Sequence, residues 1–152
     1  MLDAAERAYL AAARVARLAT ADADGRPHAV PICFALHDDA IVTPIDEKPK
    51  PNDPHALRRV RDIEANPRVA VLVDHYHENW THLGWLKIHG TATIQDPDHD
   101  QHSAAVTALR TKYDQYHDHD LETRPIVHVT PGSVHSWGEL EPVTTNADGD
   151  KE

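Results

Sequence analysis

Short apolar runs that follow one another through tight polar turns, instead of alternating with helices, constrain this chain more than any other feature. Residues 14–21 (RVARLATA), 28–36 (HAVPICFAL) and 40–46 (AIVTPID) each have the length of one strand. The links between them, DADGRP at 22–27 and His37-Asp38-Asp39, are rich in turn formers, with Gly25 able to take a positive φ. This spacing predicts an antiparallel meander. Residues 68–75 (RVAVLVDH) form a β-branched strand, 83–95 (LGWLKIHGTATIQ) a longer one, and 125–130 with 134–137 the last strand or strands. Strands arriving consecutively exclude a doubly wound parallel sheet, which needs helices between them. The prediction is a mainly β protein, a six- to seven-stranded antiparallel barrel, closed or partly closed, with flanking helices. Gly90, inside the longest run, predicts the bulge or bend that such a barrel needs to close.

Two prolines sharpen this expectation. Pro31 and Pro44 lie inside strand-like runs, and neither can donate to a ladder. Each should therefore sit at a bulge, at an edge, or where the donor side of the strand faces a ligand. Three helices are predicted. The first covers residues 3–13, opened by Asp3 and Glu6 at capping-box spacing. The second follows the loop KPKPNDP, with Asp53 as N-cap, Pro54 in the first turn, and Leu57, Val60 and Ile63 as its apolar stripe. Asn66-Pro67 ends it. The third covers 102–116, with Ala105, Val106, Leu109 and Tyr113 on its buried side. Residues 1–140 read as one domain, and 141–152 as a polar tail expected to be disordered.

A formal net charge of −10 argues against nucleic acid as the main partner, since phosphate binding needs a basic footprint. The cations are unevenly placed: Lys48, Lys50, Arg58, Arg59, Arg61 and Arg68 share one stretch with Asp53, Asp62 and Glu64. That stretch reads either as a patch for a small anionic ligand or as a solvated helix face with ordinary ion pairs. The one cysteine, Cys33, excludes an internal disulfide and fits a reducing compartment. The charged N-terminal stretch is unlike a signal peptide, and no apolar run is long enough to cross a bilayer, so a cytoplasmic location without membrane partners is expected. The 13 histidines match no zinc spacing, so no physiological metal site is expected. His75, His77 and His82, and the pairs flanking Asp100 and Asp118, read as solvent-exposed.

Four segments carry a family resemblance. RVARLATADADGRPHAVPICFAL matches an opening strand-and-turn pattern at Leu18, Ala19, Thr20, Asp24, Gly25, Pro27, Pro31 and Ile32. RRVRDIEANPRVAVLV matches a helix-to-strand pattern at Arg59, Asp62, Ile63, Asn66, Pro67, Arg68 and Val69. ENWTHLGWLKIHGTATI carries Trp80, Leu83, Trp85, Gly90 and Ala92 in a recognisable array, and IVHVTPGSVHSWG resembles the closing strand. The chain thus resembles the pyridoxamine 5'-phosphate oxidase-like, FMN-binding split barrels, and within them the oxidoreductases that use the deazaflavin coenzyme F-420. The acidic, short ending after Trp137 departs from the basic substrate motif of full pyridoxamine phosphate oxidases, which makes vitamin B6 oxidation an unexpected activity.

The resemblance implies a homodimer with coenzyme sites at the subunit interface, and hydride transfer between reduced F-420 and a small organic substrate. The alternatives it leaves open are an FMN-binding oxidoreductase, or a non-catalytic carrier of a flavin, a deazaflavin or a tetrapyrrole. Arg59 falls where the family meets phosphate, and guanidinium geometry suits bidentate pairing with phosphate oxygens. Lys48 and Lys50 read as further charges for phosphate or for an acidic tail, or as a solvated loop. Pro31 and Ile32, with Thr43, Pro44, Ile45 and Asp46, are expected under the ring, and Trp80 or Trp85 as an aromatic wall from a second subunit. Trp137 reads as a core or interface anchor. Tyr76 or a pocket histidine is a candidate proton donor, but the sequence singles out no catalytic residue.

Overall fold

The computed structural model describes residues 1–45 and 57–141. Helix α1 spans Ala4–Ala12, and its N-cap Asp3 and Glu6 form both bonds of the capping box. Strands β1 (Ala16–Ala21) and β2 (Pro27–Ile32) follow, joined through Gly25 at φ 84°. Strands β3 (Ala35–His37) and β4 (Ala40–Pro44) make a two-residue hairpin whose turn residues Asp38 and Asp39 both take positive φ. Asp residues accept that geometry, and it matches the twist of the strands they join. Arg7 of α1 forks onto the Asp39 carboxylate, with N···O distances of 2.9 and 3.1 Å, and so ties the helix to this hairpin.

Helix α2 spans Arg58–Ala65 after an N-cap at Leu57; the proposed start at Asp53-Pro54 lies outside the described residues. Strand β5 (Arg68–His75) begins directly after Asn66-Pro67, and β6 (Gly84–Gln95) follows a short 3₁₀ turn at Trp80–His82. Helix α3 is shorter than its sequence suggests. It runs His102–Lys112 and gives way to a 3₁₀ turn at Asp114–Asp118. Tyr116 rather than Tyr113 therefore completes the buried side. The two closing segments are one strand, β7 (Ile126–Gly138).

The seven strands form one antiparallel sheet in the order β2-β1-β5-β6-β7-β4-β3. The expected barrel-type sheet with three flanking helices is present, but the meander is not. The run 28–36 breaks at Cys33-Phe34 into β2 and β3, and these consecutive strands occupy the two opposite edges of the sheet. A curled sheet explains this: the chain leaves one edge and joins the other across the seam where a closed barrel would pair them. The bulge at Gly90 is also present. Between His89 and Gly90 the register slips, so that Gly132 of β7 is left without a partner. A Cβ on Gly90 would collide with the Thr130 carbonyl, which is why that position is a glycine.

The inner face is filled by Leu18, Val71, Val73, Leu86, Ile88, Val127 and Val129, with Leu10 of α1 and Val60 and Ile63 of α2. Each such side chain contributes about 1.5–3 kcal/mol on burial. A second cluster packs Ala105, Val106 and Leu109 of α3 onto Ala35, Val42 and Ile126. The opposite face stays open: Pro31, Arg17, Leu72 and Lys87 form one cross-strand row, and Asp74, Trp85 and Trp137 another. Among the described residues, no helix is long and apolar enough to cross a membrane.

Candidate functional site

At the seam lies a cavity of about 480 Å³, lined by Val15, Val30, Pro31, Ile32, Cys33, Thr43, Pro44, Arg59 and Tyr116. Three elements meet there because the sheet is curled. β2 is an edge strand, so alternate backbone groups along it have no strand neighbour. Pro31 tolerates that edge, since it has no N–H to satisfy. β4 extends past β3 at Thr43 and Pro44, where only β7 flanks it. Thr43 is buried, and its hydroxyl donates to the Cys33 carbonyl at 2.7 Å, locking the end of β4 to the chain just beyond β2.

Arg59, half-buried in the first turn of α2, brings the cation. The helix is oriented by Val60 and Ile63 in the core. Asp62, also buried, accepts from the Thr20 hydroxyl at 2.8 Å and faces Arg58 at 3.6 Å. These contacts hold α2 against β1 and leave the next arginine on the cavity wall. The wall is therefore apolar over most of its extent, with one guanidinium.

The structure thus gathers Pro31, Ile32, Thr43, Pro44 and Arg59. Ile45 is not on this wall. Its side chain is fully buried, its N–H donates to the Pro125 carbonyl, and its own carbonyl accepts from Arg124 Nε at 2.7 Å. Asp46, Lys48 and Lys50 lie outside the described residues. Arg58, Arg61 and Arg68 are exposed and line no part of the cavity, so of the described arginines in the basic stretch Arg59 alone does. Trp80 is exposed and donates its indole N–H to the Tyr76 hydroxyl at 3.2 Å. Trp85 lies on the open sheet face, with Lys87 Nζ 5.6 Å from its ring centroid. Neither tryptophan lines the cavity.

Sequence reasoning missed Val15, Val30, Cys33 and Tyr116. The signal for Cys33 was its place two residues after Pro31. Nothing in the linear pattern signalled that the turn after α3 returns Tyr116 to the seam. Val15 and Cys33 also border an adjoining groove of about 560 Å³, with Arg14, Thr111, Lys112, Tyr113, Asp114 and Gln115. There burial, aided by the neighbouring Arg14, lowers the Lys112 ammonium to about 8. Burial also raises Tyr113, whose hydroxyl donates to the Arg14 carbonyl at 2.8 Å.

The histidines are not uniformly exposed as expected: His102 is buried, its Nε2 2.6 Å from the Arg124 carbonyl. His75 bridges Tyr9 at 2.7 Å and the His82 carbonyl at 2.6 Å. β5 ends at His75, so His77 does not continue the strand; its ring lies 4.8 Å from that of His82. Burial lowers His128, and the nearby His37 adds to this. Among the described residues, no three His, Cys, Asp or Glu side chains are grouped to hold a metal ion.

Residues 2–138 match the family model described as pyridoxamine 5'-phosphate oxidase. No curated protein matches the chain. Many solved structures share the fold. A conserved hypothetical protein from Mycobacterium tuberculosis is 19% identical over 91% of this chain and 86% of its own, with a TM-score of 0.71. HutZ, described as the heme storage protein from Vibrio cholerae, is 16% identical over 87% and 90%, with a TM-score of 0.67. General Stress Protein 26 from Bacillus anthracis is 17% identical over 87% and 92%, with a TM-score of 0.61. At these identities the likeness is one of fold.

Proposed function

Because this chain belongs to the pyridoxamine 5'-phosphate oxidase family, we propose that its seam cavity takes the ring of a flavin-type coenzyme, F-420 in the first instance, and that the protein uses it for hydride transfer to a small organic substrate. The observation that carries this reading is the pairing of an apolar cavity wall with the single guanidinium of Arg59. The cavity's volume falls in the range that binds a planar cofactor, and a few placed polar groups suffice to orient one. The coenzyme, when bound, supplies the two-electron redox centre. The chain's own residues do the rest. Arg59 neutralises a phosphate. Pro31, Ile32 and Pro44 exclude water from one side of the ring. Thr43, whose proton is committed to Cys33, presents an oxygen that can only accept. Asp46, Lys48 and Lys50 are proposed to complete the anion-binding loop; FMN, with one phosphate, is the alternative coenzyme.

A homodimer with its sites at the interface belongs to this proposal. Among the described residues, Val15, Tyr76, Trp80 and Trp137 are the large hydrophobic side chains left exposed beyond the first residue. All four sit at one end of the sheet, where β1 and β6 begin and β2, β5 and β7 end. A clustered apolar surface of this kind supports an interaction between copies, and a second copy seated there would bring its own Trp80 or Trp85 toward the seam.

Titration of the protein with F-420 and with FMN, followed by absorbance, tests the reading. Tight binding of either, with reduction of test enones or quinones by the reduced coenzyme, supports it; failure of both coenzymes to bind removes it. A second reading, a tetrapyrrole carrier without turnover, is favoured by the fold shared with a heme storage protein and by Cys33 on the wall, a residue type able to ligate haem iron. Hemin titration of the wild type and of Cys33→Ser separates the two.

A further inference from the structure

The groove beside the seam holds two cations that the proposed coenzyme site does not use. Arg14 Nη1 donates to the Lys112 carbonyl at 2.7 Å, and its guanidinium lies 5.3 Å from the Tyr113 ring centroid. Lys112 Nζ sits 3.9 Å from the Phe34 ring centroid and donates to the Leu10 carbonyl at 3.2 Å. Both are thus held by aromatic faces and backbone carbonyls, and among the described residues neither forms an ion pair with a carboxylate. Lys112 is half-buried and Arg14, beside it, is exposed; a partly desolvated ammonium next to a second cation is disfavoured on both counts, and an incoming anion relieves both.

The groove also adjoins the Arg59 cavity, with Val15 and Cys33 bordering both. A molecule lying across that shared border would have an apolar wall under its body and paired cations at one end. We infer that the Arg14–Lys112 groove receives the oxyanion head, carboxylate or phosphate, of a small flat organic acid whose body extends past Val15 and Cys33 into the seam. If the seam holds a flavin-type ring with its phosphate at Arg59, as proposed above, this acid is the substrate facing that ring; only that identification rests on the coenzyme reading. Asp114, the carboxylate on the groove wall, opposes the cations and disfavours heads of higher charge.

The test uses 2-naphthoate, 2-naphthyl phosphate and the uncharged 2-naphthamide, titrated by fluorescence against the full-length protein without coenzyme. At pH 7 the anions should bind at least about tenfold more tightly than the amide, the range expected for a charge-assisted hydrogen bond. The ratio of naphthoate to naphthyl phosphate tells which head is preferred. Lys112→Met and Arg14→Gln should each bring the naphthoate-to-naphthamide affinity ratio most of the way to one, which a purely structural role for the corner, weakening both ligands alike, would not do. The preference should also fall between pH 7 and pH 9.5 as Lys112, flanked by Arg14, Cys33, Tyr113 and Asp114, loses its proton. Equal binding of acid and amide, or a preference retained in both variants, overturns the inference. If the anions are preferred but neither F-420 nor FMN binds, the coenzyme reading fails and the oxyanion site stands.

Discussion

Pro31, Thr43 and Arg59 come from three separate elements and meet on one cavity wall, whereas Trp80 and Trp85, which share one short stretch of sequence, line no part of it. The first group is assembled by the curl of a single sheet: the edge strand, the overhanging end of β4 and the first turn of α2 converge at the seam. The tryptophans belong to the open face and the sheet end, where their neighbours are Asp74, Lys87, Trp137 and Tyr76. The phosphate end of the proposed site lies within one chain. In the proposed homodimer its aromatic end would come from a second chain, so the two halves should respond differently to mutation and to dilution.

The sharpest break in that comparison is Arg59→Ala. Losing a charge-assisted bond to a coenzyme phosphate should weaken F-420 or FMN binding roughly 10- to 100-fold, measured by absorbance titration; unchanged affinity would remove Arg59 from the site. Trp85→Ala is expected to act next most strongly and through association. Light scattering should show a weaker dimer, with coenzyme affinity falling about tenfold, the scale of a modest interface anchor. An unaltered affinity in a dimer that persists would mean that the open face contributes nothing to the seam.

Thr43→Val addresses stability at the cavity wall. The Cys33 carbonyl would lose its donor beside a buried side chain, at a cost of about 1–2 kcal/mol in urea unfolding; no change would show that water replaces the hydroxyl. The smallest effect expected is on pH dependence. Lys112 titrates at about 8 in the folded protein, against 10.5 for an ordinary lysine. Between those values the unfolded chain binds a proton that the folded one has released, so this group adds stability as pH rises through that window. Thermal melts of wild type and Lys112→Met from pH 7.5 to 10.5 should therefore diverge, the wild type gaining relative to the variant. Parallel melts would mean that Lys112 is better hydrated than its surroundings indicate.

Most strands, the capped first helix, the Gly25 and Asp38-Asp39 turns and the Gly90 bulge were legible in the sequence, because each is set by local chemistry or by a periodicity of two. The site was legible in part. Pro31, Ile32 and Arg59 stood out through their motifs, while Val15 and Tyr116 carried no local mark. Ile45 followed Thr43 and Pro44 in sequence but turns into the core, since its backbone is taken up by Pro125 and Arg124 from the far end of the chain. The break at Cys33-Phe34 was hidden inside an unbroken apolar run.

Alternation of apolar and polar side chains and the chemistry of the turns determined which segments became strands and where they reversed, since those preferences act over a few residues. Which strand lies beside which was decided only in three dimensions. The sequence placed β2 and β3 side by side along the chain; burying one continuous inner face required them to part to opposite edges. That parting leaves the seam where Arg59, Thr43 and the Lys112 groove come together, and no short-range preference encodes it.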